Sequence, residues 1–133
     1  MIPEALDVLR DHAKRLVEGK VPMTDLLIAK RLSLHPDSYS HDVLQAIAAK
    51  QLMKEGVEIS AGQTVQYLIT NSESKNAYRR VKPAQLLEAN VHYDTRKYLN
   101  LLLTSAANIL SPFGYTTKNL YDLVVHRKEQ KPL

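Results

Sequence analysis

Apolar residues recur at spacings of three and four over the first seventeen positions: Ile2, Leu6, Leu9, Ala13, Leu16 and Val17. That spacing places them on one face of a helix. Pro3 suits a first helical turn and Gly19 the position just past the last one, so a helix is predicted over residues 3–19. Asp7, Arg10, Asp11, Lys14 and Arg15 fall mainly on its other side. A single apolar stripe means that this helix packs on something. Pro22 biases Val21 away from helix, which makes residues 20–22 a connector. In the next segment Thr24 can cap a short turn, while Leu26, Leu27 and Ile28 can equally form a short buried strand; periodicity does not separate the two. Residues 34–40, with Pro36 among polar neighbours, read as a turn-rich loop.

The second half of the pattern is clearer. Asp42 is positioned to cap a helix over about 43–54, with Val43, Leu44, Ile47, Ala48 and Leu52 as its apolar face and Gly56 at its end. Val57-Glu58-Ile59 alternates, and Ala61-Gly62-Gln63 turns the chain. Residues 64–70, Thr-Val-Gln-Tyr-Leu-Ile-Thr, are rich in β-branched and aromatic side chains and form the best strand candidate. Residues 71–76 hold no apolar side chain and read as an exposed loop, and residues 83–88 stay ambiguous. Asp94 or Thr95 opens a third helix to about Leu110, broken by Pro112 and ended by Gly114. A short amphipathic helix is predicted over 117–125, and residues 126–133 read as a frayed tail. The pattern predicts an α+β chain, mainly helical, with a small β element.

Composition narrows the function. At 133 residues the chain is long enough for one compact domain and too short for two comfortable ones. No apolar run approaches the roughly 20 residues of a membrane helix, and no signal-like segment opens the chain, so a cytoplasmic protein is expected, or a nuclear one in a eukaryote. There is no cysteine, which excludes disulfides, thiolate-bound zinc and thiol catalysis. Eighteen basic against fourteen acidic residues give a net charge of +4, compatible with a polyanionic partner without requiring one.

Several segments, taken in order, resemble the thumb region of family B DNA polymerases. They are ALDVLRDHAKRLVEGKVP, LLIAKRLSLHPDSY, DVLQAIAAKQLMKEGVEISAGQTVQYLI and HYDTRKYLNLLLTSAANILSPFGY. The resemblance runs from about Ala5 to Val124, and it rests on the order and spacing of packing and turn residues. It implies one thumb-like domain over residues 1–133 that holds duplex DNA behind the active site of such an enzyme. The sequence departs from the family where its chemistry resides. It contains no Asp-Thr-Asp, no Ser-Leu-Tyr-Pro-Ser and no cysteine-rich tail, so the paired aspartates that hold two metal ions are not here. The expectation is a non-catalytic small subunit of a split polymerase. A larger chain would supply palm, fingers and nuclease, together with the magnesium, and no cofactor is expected on this chain. The apolar stripe Ile2, Leu6, Leu9, Ala13 and Leu16 is expected to dock on that chain. The alternative is a regulatory or protein-interaction module of the replication machinery that does not grip DNA.

A grip that accepts any sequence uses cations at phosphates, with amides and hydroxyls beside them. By the resemblance, Lys30 and Arg31 lie near the duplex, as does the cluster Tyr78, Arg79, Arg80 and Lys82 with Lys75 just upstream. A charge run is equally the mark of a solvated face. Tyr93, Tyr98, Phe113 and Tyr115 stand at helix ends, where rings close a core, and Tyr39 reads as a structural latch. Five histidines do not make a metal site: none forms the i, i+4 pair of a zinc protease, and no set of catalytic groups converges at interpretable spacing.

Overall fold

The computed structural model describes residues 2–126; of the tail predicted over 126–133, residue 126 belongs to the last helical turn and residues 127–133 lie outside the described residues. The chain divides into two compact units. One is continuous, Pro22–Asp94, and the other joins the two ends of the chain.

In the unit built from the chain ends, α1 (Ile2–Val17) and α3 (Thr95–Leu110) pack together, and both meet the C-terminal segment. That segment is α4 (Thr117–Tyr121), continued by a π-helical turn over Asp122–His126. The predicted stripe of α1 supplies Leu9 and Ala13 to a core completed by Leu99, Leu103, Ala107, Leu120 and Val124, with Leu6 packed against it. Each large side chain in that cluster contributes ~1.5–3 kcal/mol relative to an exposed one. Leu9 and Ala13, expected to dock a partner, are therefore spent inside their own unit. Arg10, expected on the solvent side, donates from Nε to the carbonyl of Leu123 at 3.4 Å and bonds Asp7 at 2.9 Å. A short helix cannot hold itself, and α4 is anchored at its start by reciprocal capping. Thr116 Oγ1 accepts from the amide of Asn119, and Asn119 Oδ1 accepts from that of Thr116 at 2.8 Å. Of the aromatic residues expected to close a core, Tyr98 is buried and Tyr115 half-buried, but Phe113 is 64% exposed. It sits on a 3-10 turn (Ser111–Phe113) that Pro112 and Gly114 turn away from α3.

The unit Pro22–Asp94 is a three-stranded antiparallel sheet with one helix on it. Strand order is β1 (Ile28–Arg31), β2 (Thr64–Ile69), β3 (Val81–Pro83), and α2 (Leu44–Lys54) packs against β2 and β3. Register pairs Ile28 with Tyr67, Arg31 with Thr64, Tyr67 with Pro83 and Ile69 with Val81. The core combines Ala46, Ile47, Ala49 and Leu52 of α2 with Val65, Tyr67, Ile69 and Val81 of the sheet. Of the apolar face predicted for α2, Ile47, Ala48 and Leu52 are buried and Val43 and Leu44 half-buried, while Ala46, Ala49 and Gln51, outside that face, are buried as well. Gly56, at φ 89°, ends the helix in the left-handed conformation a glycine adopts freely. The predicted cap is different: Val43 takes the N-cap position with no side-chain bond, and the Asp42 carboxylate stands 3.9 Å from Arg80 instead. Both readings of residues 23–31 are realised in part. A 3-10 turn occupies Met23–Leu26 without a side-chain cap, and the strand, Ile28–Arg31, starts two residues later than Leu26-Leu27-Ile28. Residues 57–59 alternate without joining the sheet.

Candidate nucleic-acid interface

The cationic residues singled out in the sequence all lie in the unit Pro22–Asp94. That unit carries eight Lys and Arg and eight Asp and Glu, so it has no net charge of its own. Any affinity for phosphate must therefore come from local segregation. The segregation is strong between Ser74 and Leu87, which hold Lys75, Arg79, Arg80 and Lys82 and no acidic residue.

This stretch is the return half of the β2–β3 hairpin, and its loop is firmly tied. The amide of Thr70 donates to the carbonyl of Arg80 at 2.9 Å, and Thr70 Oγ1 donates to the carbonyl of Arg79 at 2.7 Å. Asp94 reaches back across the base of the loop: its Oδ2 accepts from the amide and the hydroxyl of Ser72 at 2.8 and 2.9 Å, while its own amide donates to Ile69. Asn76 Oδ1 then accepts from the amide of Tyr78 at 3.1 Å and starts the 3-10 turn Ala77–Arg79. The exposed loop predicted over 71–76 is thus a braced one.

Within it, neighbouring cations have different fates. Arg79 and Lys75 are exposed and make no ion pair among the described residues. Arg80 does not belong with them. Its Nε donates to the carbonyl of Ser74 at 2.8 Å, its Nη1 lies 3.9 Å from Asp42, and three quarters of its side chain is covered. Its guanidinium closes the loop and is already engaged within the chain. Tyr78 is 37% exposed, and the ammonium of Lys54 sits 4.4 Å from its ring centroid, within cation–π range. Lys54 arrives from the end of α2 and brings a further cation to this patch. Sequence reading missed it because the two residues are 24 positions apart and only the fold joins them.

Lys30 and Arg31, adjacent in β1, point to opposite faces of the sheet. Lys30 pairs with the buried Val65, and Arg31 with the exposed Thr64. Arg31 Nε donates to the carbonyl of Gly62 at 3.3 Å, and a cleft of about 430 Å³ opens there, lined by Arg31, Leu32, Ser33, Ala61 and Gly62. Gly62, at φ 92°, lets the chain turn back so that its amide can donate to the carbonyl of Leu32 at 2.6 Å. Just past the same end of β1 the chain is latched by Tyr39, whose hydroxyl accepts from the amides of Ser33 and Leu34 at 2.9 and 3.3 Å. The hydrogen bond with the Ser33 hydroxyl, opposed by burial and helped by the two amides, pulls the Tyr39 phenol below its ordinary pKa. Burial alone pushes the Tyr67 phenol up.

Among the described residues no three His, Asp or Glu side chains converge to hold a metal ion, and no helix is long and apolar enough to cross a membrane. His35 instead uses Nδ1 to accept from the amide of Asp37 at 3.1 Å.

Comparison with known proteins bears on this arrangement directly. The family model described as DNA polymerase family B matches residues 1–113. The chain belongs to the family B DNA polymerases. It is 31% identical over 122 residues to DNA polymerase 2 of Aeropyrum pernix, covering 90% of this chain and 15% of that protein. It is 23% identical over 120 residues to the DNA polymerase of Thermococcus litoralis, covering 90% of this chain and 7% of that one. The chain therefore spans a small fraction of the length of its relatives. Its fold matches part of the family B DNA polymerase of the hyperthermophilic archaeon Pyrobaculum calidifontis, with a TM-score of 0.60 and 20% identity over 96% of this chain and 14% of that one. The mainly helical α+β fold expected from the pattern is the fold this family B member has.

Proposed function

We propose that this chain is the thumb of a family B DNA polymerase, a non-catalytic part that grips primer-template duplex through phosphate contacts and supports processive synthesis. Palm, fingers and nuclease, with the magnesium ions of the reaction, belong in this reading to a larger polymerase chain acting with it. The observation that carries the reading is the acid-free stretch from Ser74 to Leu87, braced by Asp94 and presenting Lys75 and Arg79 to solvent in a member of this family. Supporting it, the 133 residues hold no Asp-Thr-Asp block to bind a metal pair. The division of labour follows from chemistry: cations on a rigid hairpin attract any duplex without reading bases. Binding energy supplied away from the reacting atoms holds the primer end in place between additions.

The test is duplex binding by the full chain, followed by fluorescence anisotropy across a salt series. The double reversal Lys75→Glu with Arg79→Glu is expected to weaken binding by at least tenfold. Neutral replacements at the same two positions should flatten the slope of log K against log salt by roughly 0.9 for each phosphate no longer neutralised. With the polymerase chain present, omitting this chain should shorten products far more than it slows a single incorporation. An unchanged affinity in the double reversal would refute the grip and favour the regulatory alternative.

A further inference from the structure

The two faces of the sheet have different surroundings. Cross-strand partners share a face, so Val65, Tyr67 and Val81 look one way, into the core. Ala29, Arg31, Thr64, Gln66, Leu68 and Lys82 look the other. On that second face Leu68 is closed over, but Ala29, Arg31, Thr64 and Gln66 are exposed and Lys82 is partly so. The face holds two cations, an amide, a hydroxyl and no carboxylate.

Arg31 and Lys82 stand at its opposite corners, on the two outer strands. Arg31 pairs with Thr64 and Lys82 with Leu68, so four residues of β2 and two strand spacings separate them, a Cα distance of roughly 16 Å. Gln66 lies on the central strand between them, opposite Ala29, whose methyl leaves the surface low. The carboxamide of Gln66 has no hydrogen-bond partner among the described residues. The cleft beside Arg31 extends the surface past that corner.

We infer that the exposed part of this sheet face, from Arg31 past Gln66 toward Lys82, is where the sugar–phosphate backbone of the duplex runs. Arg31 and Lys82 meet phosphates, and Gln66 is the neutral donor between them. Lys30 is outside the contact. The inference rests on the duplex-gripping reading above and deepens it by fixing which side of the sheet the DNA occupies. Charge complementarity carries it, because an acid-free face bounded by two cations suits a polyanion. A neutral amide also donates to a phosphate oxygen, more weakly than a cation and without adding to the salt dependence. Lys30 has a different use: a lysine on an edge strand discourages pairing with another chain.

The experiment uses the full chain, a fluorescently labelled duplex and about 0.1 M salt, where unit charges beyond ~10 Å are screened. Gln66→Glu is expected to weaken binding by about tenfold, while Gln66→Lys strengthens it several-fold. A gain cannot come from misfolding, so the lysine variant keeps the inference falsifiable if the glutamate variant is unstable. Arg31→Glu should weaken binding by about tenfold and Lys30→Glu by no more than about twofold. If Lys75 and Arg79 reversals abolish binding while neither Gln66 variant moves it, or if Lys30→Glu equals Arg31→Glu, the sheet-face inference is overturned and the duplex grip stands. If the unaltered chain does not bind duplex even at low salt, the grip itself fails, and this inference with it.

Discussion

Gln51 is the buried polar side chain of this fold among the described residues, and removing its amide isolates one hydrogen bond. In an antiparallel ladder bonded and non-bonded residue pairs alternate. The amide of Thr70 bonds the carbonyl of Arg80, so the next pair, Ile69 with Val81, is of the non-bonded kind. The carbonyl of Val81 then turns away from β2, toward the outer side of an edge strand, where a ladder partner is lacking. Val81 is fully buried, and Gln51 Nε2 supplies the missing donor at 2.8 Å. Gln51→Leu keeps the volume and adds apolar surface, but it strands that carbonyl. The lost bond is worth ~1 kcal/mol net, and an orphaned buried acceptor costs ~1–3 kcal/mol, part of which the added apolar burial offsets. We expect a net loss of about 1–2 kcal/mol, which in a unit of this size lowers Tm by roughly 5–10 °C. Thermal and urea unfolding followed by circular dichroism measure it, and the urea midpoint should fall with m unchanged. Gln51→Ala should cost more, because it adds a cavity. A Gln51→Leu protein as stable as the unaltered chain would refute this account of the sheet edge.

Thr116→Ala removes one half of the reciprocal cap on α4 and should cost about 1 kcal/mol, with Thr116→Ser restoring most of it in the same unfolding assay. In an ultraviolet titration Tyr39→Phe should delete a phenol that ionises below the ordinary range, and Tyr67→Phe one that ionises above it. The signs for stability are opposite. The lowered phenol of Tyr39 favours the fold above pH ~10, an effect lost as pH falls through its folded value. The raised phenol of Tyr67 favours it below pH ~10, and that stability is lost as pH climbs through its folded value.

Elements with their own periodicity and a glycine stop were legible in the sequence. α1 and α2 fall where the apolar spacing puts them, α3 between its opening Asp94 or Thr95 and Pro112, and β2 where β-branched residues cluster. What stayed hidden depends on neighbours. β3 is three residues long and ends in Pro83, so nothing local marks it; it forms because the hairpin folds Val81 back against Ile69. β1 extends through Lys30 and Arg31, since an edge strand tolerates exposed charge that a buried one would not. Asp42 had the right residue type to cap α2, yet its carboxylate turns to a guanidinium 38 positions away that no local rule could anticipate.

The candidate site shows the same division at finer grain, because twice an adjacent pair of cations splits. Lys30 and Arg31 are equal in charge and separated by the pleat of one strand. Arg79 and Arg80 are equal in type and separated by what each guanidinium already holds. Net charge sees neither difference: the excess of +4 lies wholly outside the unit that carries these residues. A double reversal of either pair would therefore mislead. Reversing Arg79 and Arg80 together would also break the bond from Arg80 to Ser74 and the approach to Asp42, and weaker binding could then report a loosened loop as easily as a missing cation at a phosphate. Single substitutions at Arg79 and Gln66, whose side chains are exposed, keep charge and structure apart better than one at Arg31, whose guanidinium also holds the carbonyl of Gly62. The duplex should feel all three, and the unfolding curve should feel Arg79 and Gln66 by no more than about 0.5 kcal/mol.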